Sequence, residues 1–88
     1  MKLEHRIRLR TEYMYGYLVW RAKERERYEK VFPEGEFDVH FMGKIIPKRK
    51  VDWKRNRINL YPARKMIDEG DVLVIRREGN SVYIEKRR

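Results

Sequence analysis

The chain has 88 residues, of which 23 are Lys or Arg and 14 are Asp or Glu, giving a net charge of +9. This length allows one domain, 1–88, with one core. There is no Cys, which excludes disulfides, thiolate nucleophiles and zinc–thiolate sites. No apolar run approaches the roughly 20 residues of a membrane-spanning helix, and the first residues lack the apolar stretch of a secretory signal. We therefore expect a cytoplasmic protein without a membrane partner. Its lack of Gln and wealth of Glu, Lys and Arg are typical of hyperthermophile proteins.

Within the first twenty residues, from Leu3 to Val19, largely apolar or aromatic side chains alternate with largely charged ones. A period of two predicts half-buried β-structure. A single strand of this length would be unusual, so we expect two strands or one strongly bent strand, with Gly16 at the bend.

Charges of both signs crowd together from Arg21 to Lys30. Glu24 and Arg27 have the spacing of neighbours on a helix, which predicts a solvent-exposed helix. The rest of the chain alternates between strand and turn patterns, and a short helical turn is expected after Pro62. Predicted hairpins span residues 37–47, 51–60 and 72–84. The pattern predicts a mostly β chain with one or two short helices.

Residues 31–39 match residues 66–74 at an offset of 35. Each copy reads as an apolar anchor, a tight turn, a strand, a hairpin and a second strand, which predicts half-repeats over 1–50 and 51–88. Gly35 and Gly70 are predicted turn residues because glycine takes positive φ without steric cost. Asp71 is a third predicted turn residue, since an acid there accepts hydrogen bonds from backbone N–H groups.

The second copy contains Glu69-Gly70-Asp71 before one strand and Glu78-Gly79-Asn80-Ser81 before the next. This arrangement resembles the GD box of cradle-loop β-barrels, a superfamily that includes AbrB-type swapped-hairpin DNA-binding proteins and riboflavin-synthase-like (RIFT) barrels. The resemblance covers 51–86 well and 31–50 loosely. AbrB-type chains carry one half and close the barrel as a dimer, whereas two halves in one chain look more like a RIFT barrel. The resemblance thus implies a small, closed or partly closed barrel of about six strands with a pseudo-twofold repeat, as a monomer.

The positive charge is concentrated in residues 44–65, here called the basic window. Nine bases and one acid give this window +8, whereas the other 66 residues carry 14 bases and 13 acids. Such a local excess suits phosphate backbones, and aromatic residues beside Arg can stack on unpaired bases. Trp53 has an alternative role as a buried core residue, and acids elsewhere in the fold are an alternative partner for the cations. The predicted nucleic-acid contacts are Lys48, Arg49, Lys50, Trp53, Lys54, Arg55, Arg57, Tyr61, Arg64 and Lys65.

The sequence contains no pattern of catalytic or cofactor-binding residues. There is no glycine-rich phosphate loop, and His5 and His40 each stand alone without a second His at ligand spacing. No nucleophile, base and orienting residue can be assigned, so we expect a non-enzymatic protein without a metal or cofactor.

The leading hypothesis is a nucleic-acid-binding protein, with RNA or a ribonucleoprotein favoured over duplex DNA. The reasons are that no recognition helix is evident and that aromatic residues interleave with Arg. One alternative is an AbrB-like DNA-binding regulator. Another is a barrel that binds a nucleotide, a flavin or a protein partner, for which fold analogy is the only argument.

Overall fold

Within residues 2–87, the fold consists of eight short strands and four short helical segments. The computed structural model describes residues 2–87, so Met1 and Arg88, the ends of the predicted domain, lie outside the described residues. The strands are β1 (Lys2–Arg6), β2 (Tyr17–Val19), β3 (Phe37–Phe41), β4 (Lys44–Arg49), β5 (Val51–Asp52), β6 (Arg57–Asn59), β7 (Val72–Glu78) and β8 (Ser81–Lys86). The helical segments are α1 (Arg10–Tyr15), α2 (Arg25–Glu29) and two 3₁₀ helices, Ala22–Glu24 and Tyr61–Met66.

The strands form two sheets. The larger is a mixed sheet in the order β1-β7-β8-β3-β4, in which only the β3–β8 pair is parallel. The smaller is antiparallel in the order β2-β6-β5. The mostly β prediction is confirmed; the structure has eight strands where about six were expected, because the three hairpins supply six and the first twenty residues add β1 and β2. Strand pairing among residues 2–87 does not close either sheet into a barrel.

Both sheets contribute to one cluster of buried apolar side chains. Leu73 and Ile75 of β7 are buried in it, as are Leu18 of β2 and Ile58 of β6. In each strand the neighbours of these residues are more exposed, as expected when one face of a sheet packs on a core.

The three predicted hairpins are all present. Met42 and Gly43 connect β3 to β4, and both have positive φ, which is typical of a two-residue hairpin turn. Four residues connect β5 to β6, and Gly79 and Asn80 connect β7 to β8. The exposed helix expected from the charge pattern is also confirmed, as α2, and the helical turn after Pro62 is a 3₁₀ helix.

The alternating pattern of the first twenty residues gave one wrong prediction. Two strands were one of the two expectations and are present as β1 and β2, but the residues between them, Arg10–Tyr15, form α1 and not β-structure. Glu12 explains the difference, because its carboxylate accepts the backbone N–H groups of Arg8 and Leu9 at 3.0 Å each and so caps the start of the helix. Gly16 then ends the helix in the left-handed region.

The two predicted turns have similar geometry. Gly35 and Gly70 have φ of 72° and 89°, and each precedes a strand that continues into a hairpin. The Asp71 carboxylate accepts the Asp68 N–H at 2.8 Å, as expected for a turn acid. The order of turn, strand and hairpin is thus found in both copies, while their origin by duplication stays a prediction.

The helices of residues 2–87 are short and polar. None of them has the length and apolar composition needed to cross a lipid bilayer.

Candidate nucleic-acid interface

The outer face of the smaller sheet carries polar and aromatic side chains of β2 and β6. Leu18 and Ile58 are opposite each other in register and buried, so their neighbours on both strands lie on the other face. Tyr17 and Asn59 pair on that outer face, and Arg57 lies on it two residues before Asn59. The Arg57 guanidinium carbon is 4.6 Å from the centre of the Tyr17 ring, which makes a diagonal cation–π contact across the strands.

The 3₁₀ helix Tyr61–Met66 adds a second aromatic–cation pair at the end of β6. The Tyr61 N–H donates to Asn59 Oδ1 at 2.8 Å, which fixes the start of the 3₁₀ helix against the strand. The Arg64 guanidinium carbon lies 3.9 Å from the Tyr61 ring centre, and Arg64 Nη1 donates to the Tyr61 carbonyl oxygen at 3.2 Å. Tyr61 remains 48% exposed, so its ring is accessible from solvent.

The end of α1 brings another tyrosine to the same face. Gly16 has φ of 76°, and its carbonyl oxygen accepts the Leu60 N–H at 2.7 Å. A Cβ atom at Gly16 would lie 2.8 Å from the Leu60 carbonyl oxygen, so a glycine is required for this approach. The close approach places Tyr15, which is 53% exposed, next to the 3₁₀ helix.

These side chains line a cleft of about 450 Å³. We call it the tyrosine–arginine cleft. Its lining residues are Thr11, Tyr15, Tyr17, Arg57, Asn59 and Tyr61. Its described lining contains no carboxylate, so the positive charge of Arg57 is not offset inside the cleft.

Two predicted contact residues lie in a second cleft of about 430 Å³. Lys50 and Trp53 line it together with the acids Glu29 and Glu34. Trp53 is half-buried and packs edge-on against Trp20, with ring centres 5.7 Å apart. The structure thus gives Trp53 the core contacts that the sequence offered as its alternative role.

The remaining predicted contacts are distributed over the neighbouring surface. Lys48 lines a third cleft with Glu36 and Asp38. Arg49 is half-buried, and its Nη1 donates to the Asn59 carbonyl oxygen at 3.3 Å. The other exposed cations are Lys54 and Arg55 in the β5–β6 turn and Lys65 in the 3₁₀ helix. Of the three clefts, only the tyrosine–arginine cleft combines aromatic rings and cations without an acid.

Direct ion pairing neutralises one of the nine cations of the basic window. Within residues 2–87, Arg55 is the only one of them with a carboxylate oxygen within 4.0 Å, that of Asp52 at 3.4 Å. The Arg55 backbone N–H also donates to Asp52 at 3.1 Å, and this bond lowers the pKa of the Asp52 carboxyl. Asp52 therefore stays ionised at neutral pH and keeps its pairing with Arg55.

Sequence reasoning missed Tyr15, Tyr17 and Asn59. The two tyrosines belonged to a segment interpreted as one alternating strand pattern, and their position depends on α1 and on the pairing of β2 with β6. The only signal in the sequence was the run Tyr13-Met14-Tyr15-Gly16-Tyr17, in which aromatic residues surround a glycine.

A second group of polar side chains is buried away from the cleft. His5 Nε2 donates to Glu12 Oε2 at 2.5 Å, and His5 Nδ1 lies 2.6 Å from the Tyr28 hydroxyl. In the neutral imidazole, Nδ1 is the acceptor for the Tyr28 proton. All three residues are at least 95% buried, and burial raises the pKa of Tyr28 to about 12, so its hydroxyl stays protonated. The group therefore joins β1, α1 and α2 as a structural network.

Comparisons of the chain with protein-family models, with curated proteins and with solved structures found no match.

Proposed function

We propose that this chain is a non-enzymatic protein that binds single-stranded RNA, alone or within a ribonucleoprotein. The observation that carries the proposal is a cleft whose described lining has no acid and holds the Arg57–Tyr17 pair and the Tyr61 ring, which also pairs with Arg64. Aromatic rings stack on unpaired bases of any sequence, and the nearby cations attract the phosphates. A guanidinium held against a ring can itself stack on a base or contact a phosphate.

Single-stranded RNA is favoured over duplex DNA by the shape of the molecule. The longest helices in residues 2–87 have six residues, α1 and the 3₁₀ helix Tyr61–Met66. A helix that reads the major groove of DNA has to present several side chains along its length, and neither element is long enough to do this. An unpaired strand needs only exposed rings and cations.

We also propose that the fold is related to cradle-loop barrels of the RIFT type and that the protein acts as a monomer. The support is that Gly35 and Gly70 both adopt positive φ before a strand and hairpin, in the order that the GD-box resemblance implies. An AbrB-type relative would need a second chain to complete its barrel. Sedimentation equilibrium over a hundredfold range of protein concentration tests this, and a stable dimer would contradict it.

The test of RNA binding uses fluorescence anisotropy with a labelled, unstructured 12-nucleotide RNA of mixed sequence. Wild-type protein should bind this strand more tightly than the corresponding RNA duplex or DNA duplex at equal salt. Replacing Tyr61 by Ala removes one stacking surface and should weaken binding about 5- to 150-fold. The DNA strand of the same sequence, measured alongside, shows how much of the affinity depends on the ribose 2′-hydroxyls.

A matched control lies on the outer face of the larger sheet. Tyr83 also has an arginine over its ring, Arg76 at 4.6 Å, and its other side stacks on His40. Tyr83→Ala removes the same chemical group from a position outside the tyrosine–arginine cleft and should leave RNA affinity unchanged. If the two variants weakened binding equally, or if the wild type preferred duplexes, the assignment to the cleft would be wrong.

A further inference from the structure

Three arginines of the basic window are half-buried, whereas its other cations are exposed. We call these three, Arg49, Arg57 and Arg64, the arginine cluster. Partial burial removes some of the water that solvates a charge, so a half-buried cation is normally paired with a carboxylate. Within residues 2–87, no member of the cluster has a carboxylate oxygen within 4.0 Å.

The half-buried cations outside the basic window are paired. In the part of the chain that the structure describes, these are Arg76 and Lys86. Arg76 forms an ion pair with Glu78, and Lys86 Nζ lies 3.0 Å from Asp71 Oδ2. The described fold therefore supplies a carboxylate wherever else it partly buries a Lys or Arg. An anionic ligand would give the arginine cluster the partner that the protein does not provide.

Arg49 is fixed beside the tyrosine–arginine cleft by two backbone bonds. Its Nε donates to the Pro47 carbonyl oxygen at 3.2 Å, and its Nη1 donates to the carbonyl oxygen of Asn59, a lining residue, at 3.3 Å. A guanidinium has five N–H donors, so these two bonds leave three for a ligand. The carbonyl oxygens orient the guanidinium but do not cancel its charge.

Arg57 and Arg64 are fixed by tyrosine rings that line the same cleft. Arg57 lies over the ring of Tyr17 and is itself a lining residue. Arg64 lies over the ring of Tyr61, and its bond to the Tyr61 carbonyl oxygen uses one of its five N–H donors. All three guanidiniums therefore lie at one cleft, held in place and with donors to spare.

We infer that the arginine cluster binds the phosphate groups next to the base that occupies the tyrosine–arginine cleft. The inference rests on the proposed RNA binding and names the groups that fix the strand there. A guanidinium presents parallel N–H donors that match two phosphate oxygens, whereas a lysine ammonium acts as a point charge. Binding at the cluster should therefore depend on the geometry of arginine as well as on its charge.

The test is a double variant, Arg49→Lys with Arg64→Lys, which keeps both charges but loses the guanidinium geometry. Its affinity for the mixed-sequence 12-nucleotide RNA, measured by anisotropy, should fall at least about 10-fold. The slope of log affinity against log salt concentration should not change, because the protein keeps its charge. A purely structural role would lower stability and leave the affinity per folded molecule unchanged. That result would overturn the inference, whereas failure of the wild type to bind RNA would contradict the proposed function.

A matched control is the double variant Arg76→Lys with Arg77→Lys. Arg76 lies over the ring of Tyr83, and Arg77 Nε donates to the Gly79 carbonyl oxygen at 2.8 Å. These two arginines thus have the same kinds of contact as the cluster but lie outside the cleft lining. The control should keep the wild-type affinity and slope. Equal losses in the two double variants would overturn the assignment to the cluster.

A measurement on the wild type decides the question even if a variant does not fold. Nitrogen–proton NMR spectra resolve the Nε–H groups of individual arginines. Adding the same RNA should shift the Nε–H resonances of Arg49, Arg57 and Arg64 and leave those of Arg76 and Arg77 in place. If the protein binds RNA and the resonances of the cluster do not move, the inference is wrong.

Discussion

Glu12 is a buried carboxylate that accepts four hydrogen bonds. His5 Nε2 donates to it at 2.5 Å, and the N–H groups of Arg8, Leu9 and Val19 donate to it at 3.0 Å each. Burial acts to raise the pKa of Glu12, but the four hydrogen bonds outweigh burial and the pKa is lowered. The ionised form therefore stabilises the fold, because this α1 residue satisfies donors from β1, from the residues just before α1 and from β2 together.

Replacing Glu12 by Gln should lower the free energy of unfolding by about 3 kcal/mol at pH 7. The amide nitrogen of Gln faces backbone donors that the carboxylate satisfied, and the buried His5 loses its charged partner. Urea unfolding followed by circular dichroism measures the difference. Glu29→Gln is the control, since its ion pair with Arg25 is exposed and should contribute at most about 0.5 kcal/mol.

The pH dependence of the Glu12→Gln effect follows from the lowered pKa. A carboxyl whose pKa is lower in the folded than in the unfolded chain stabilises fully above the unfolded value, here 4.5, and loses that contribution as pH falls through the folded value. The difference in unfolding free energy between wild type and variant should thus be constant from pH 7 to about 5.5 and shrink below pH 4.5. A difference that stayed constant to pH 3 would mean that packing, not charge, causes the loss.

At the scale of elements, the β5–β6 hairpin separates the two aromatic residues that the sequence offered for stacking. Trp53 packs on Trp20, Arg25 lies over its ring at 5.3 Å, and Arg25 Nη1 donates to its carbonyl oxygen at 3.2 Å. Tyr61, just after the hairpin, is about half exposed to solvent. The hairpin is therefore held to the body of the protein by Trp53, while Tyr61 is available to a ligand.

We predict opposite effects for alanine at these two positions. Trp53→Ala should lower the free energy of unfolding by about 2 kcal/mol, because a half-buried ring and its aromatic contact are lost. RNA affinity per folded molecule should change less than about twofold, since no base would stack on Trp53. Tyr61→Ala should leave stability nearly unchanged and weaken binding. Thermal unfolding measures the stability of each variant, and anisotropy on the same samples measures its RNA affinity. A loss of RNA affinity in fully folded Trp53→Ala would contradict the assignment of Trp53 to stability and of Tyr61 to binding.

The elements that the sequence predicted correctly are those defined by local patterns. The three hairpins have short connections and alternating strands, and α2 has charges at helical spacing. Helix α1 was missed because its side chains alternate like those of a strand, and the capping by Glu12 that favours the helix depends on the turn at Arg8 and Leu9. A period of two cannot reveal a side chain that bonds to the backbone.

The candidate site was only partly predictable for a similar reason. Arg57 and Arg64 were found by counting charges in the basic window, and Tyr61 as an aromatic residue between them. Tyr15 and Tyr17 are more than 40 residues away in sequence from Asn59 and meet it only through the β2–β6 pairing and the approach of Gly16 to Leu60. Pairing between distant strands leaves no mark in one sequence when both strands are three residues long.

At the scale of the whole molecule, the position of the charge matters more than its amount. The molecule measures 30 × 27 × 22 Å, and the Debye length at physiological salt is about 8 Å. Cations on opposite sides are therefore screened from each other, and a bound strand responds to those near it. In the remaining 66 residues of the chain, the acidic side chains nearly balance the basic ones. The basic window is therefore the main source of the positive field.

Neutralising three exposed lysines of the basic window should reduce the salt dependence of RNA binding. Each phosphate contact on a single strand contributes about 0.7 to the slope of log affinity against log salt concentration. A triple variant with Gln at Lys50, Lys54 and Lys65 should therefore flatten the slope by about 2. Anisotropy titrations between 50 and 300 mM salt on the mixed-sequence RNA measure it.

A second triple variant tests whether location or net charge is responsible. Replacing Lys2, Arg21 and Lys23 by Gln removes the same three charges from exposed positions outside the basic window. Because the slope counts ions released from the contacted phosphates, this variant should keep the wild-type slope and differ only slightly in affinity. If both triples flattened the slope equally, the strand would be held by the overall positive charge, and neither the window nor the tyrosine–arginine cleft would define where it binds.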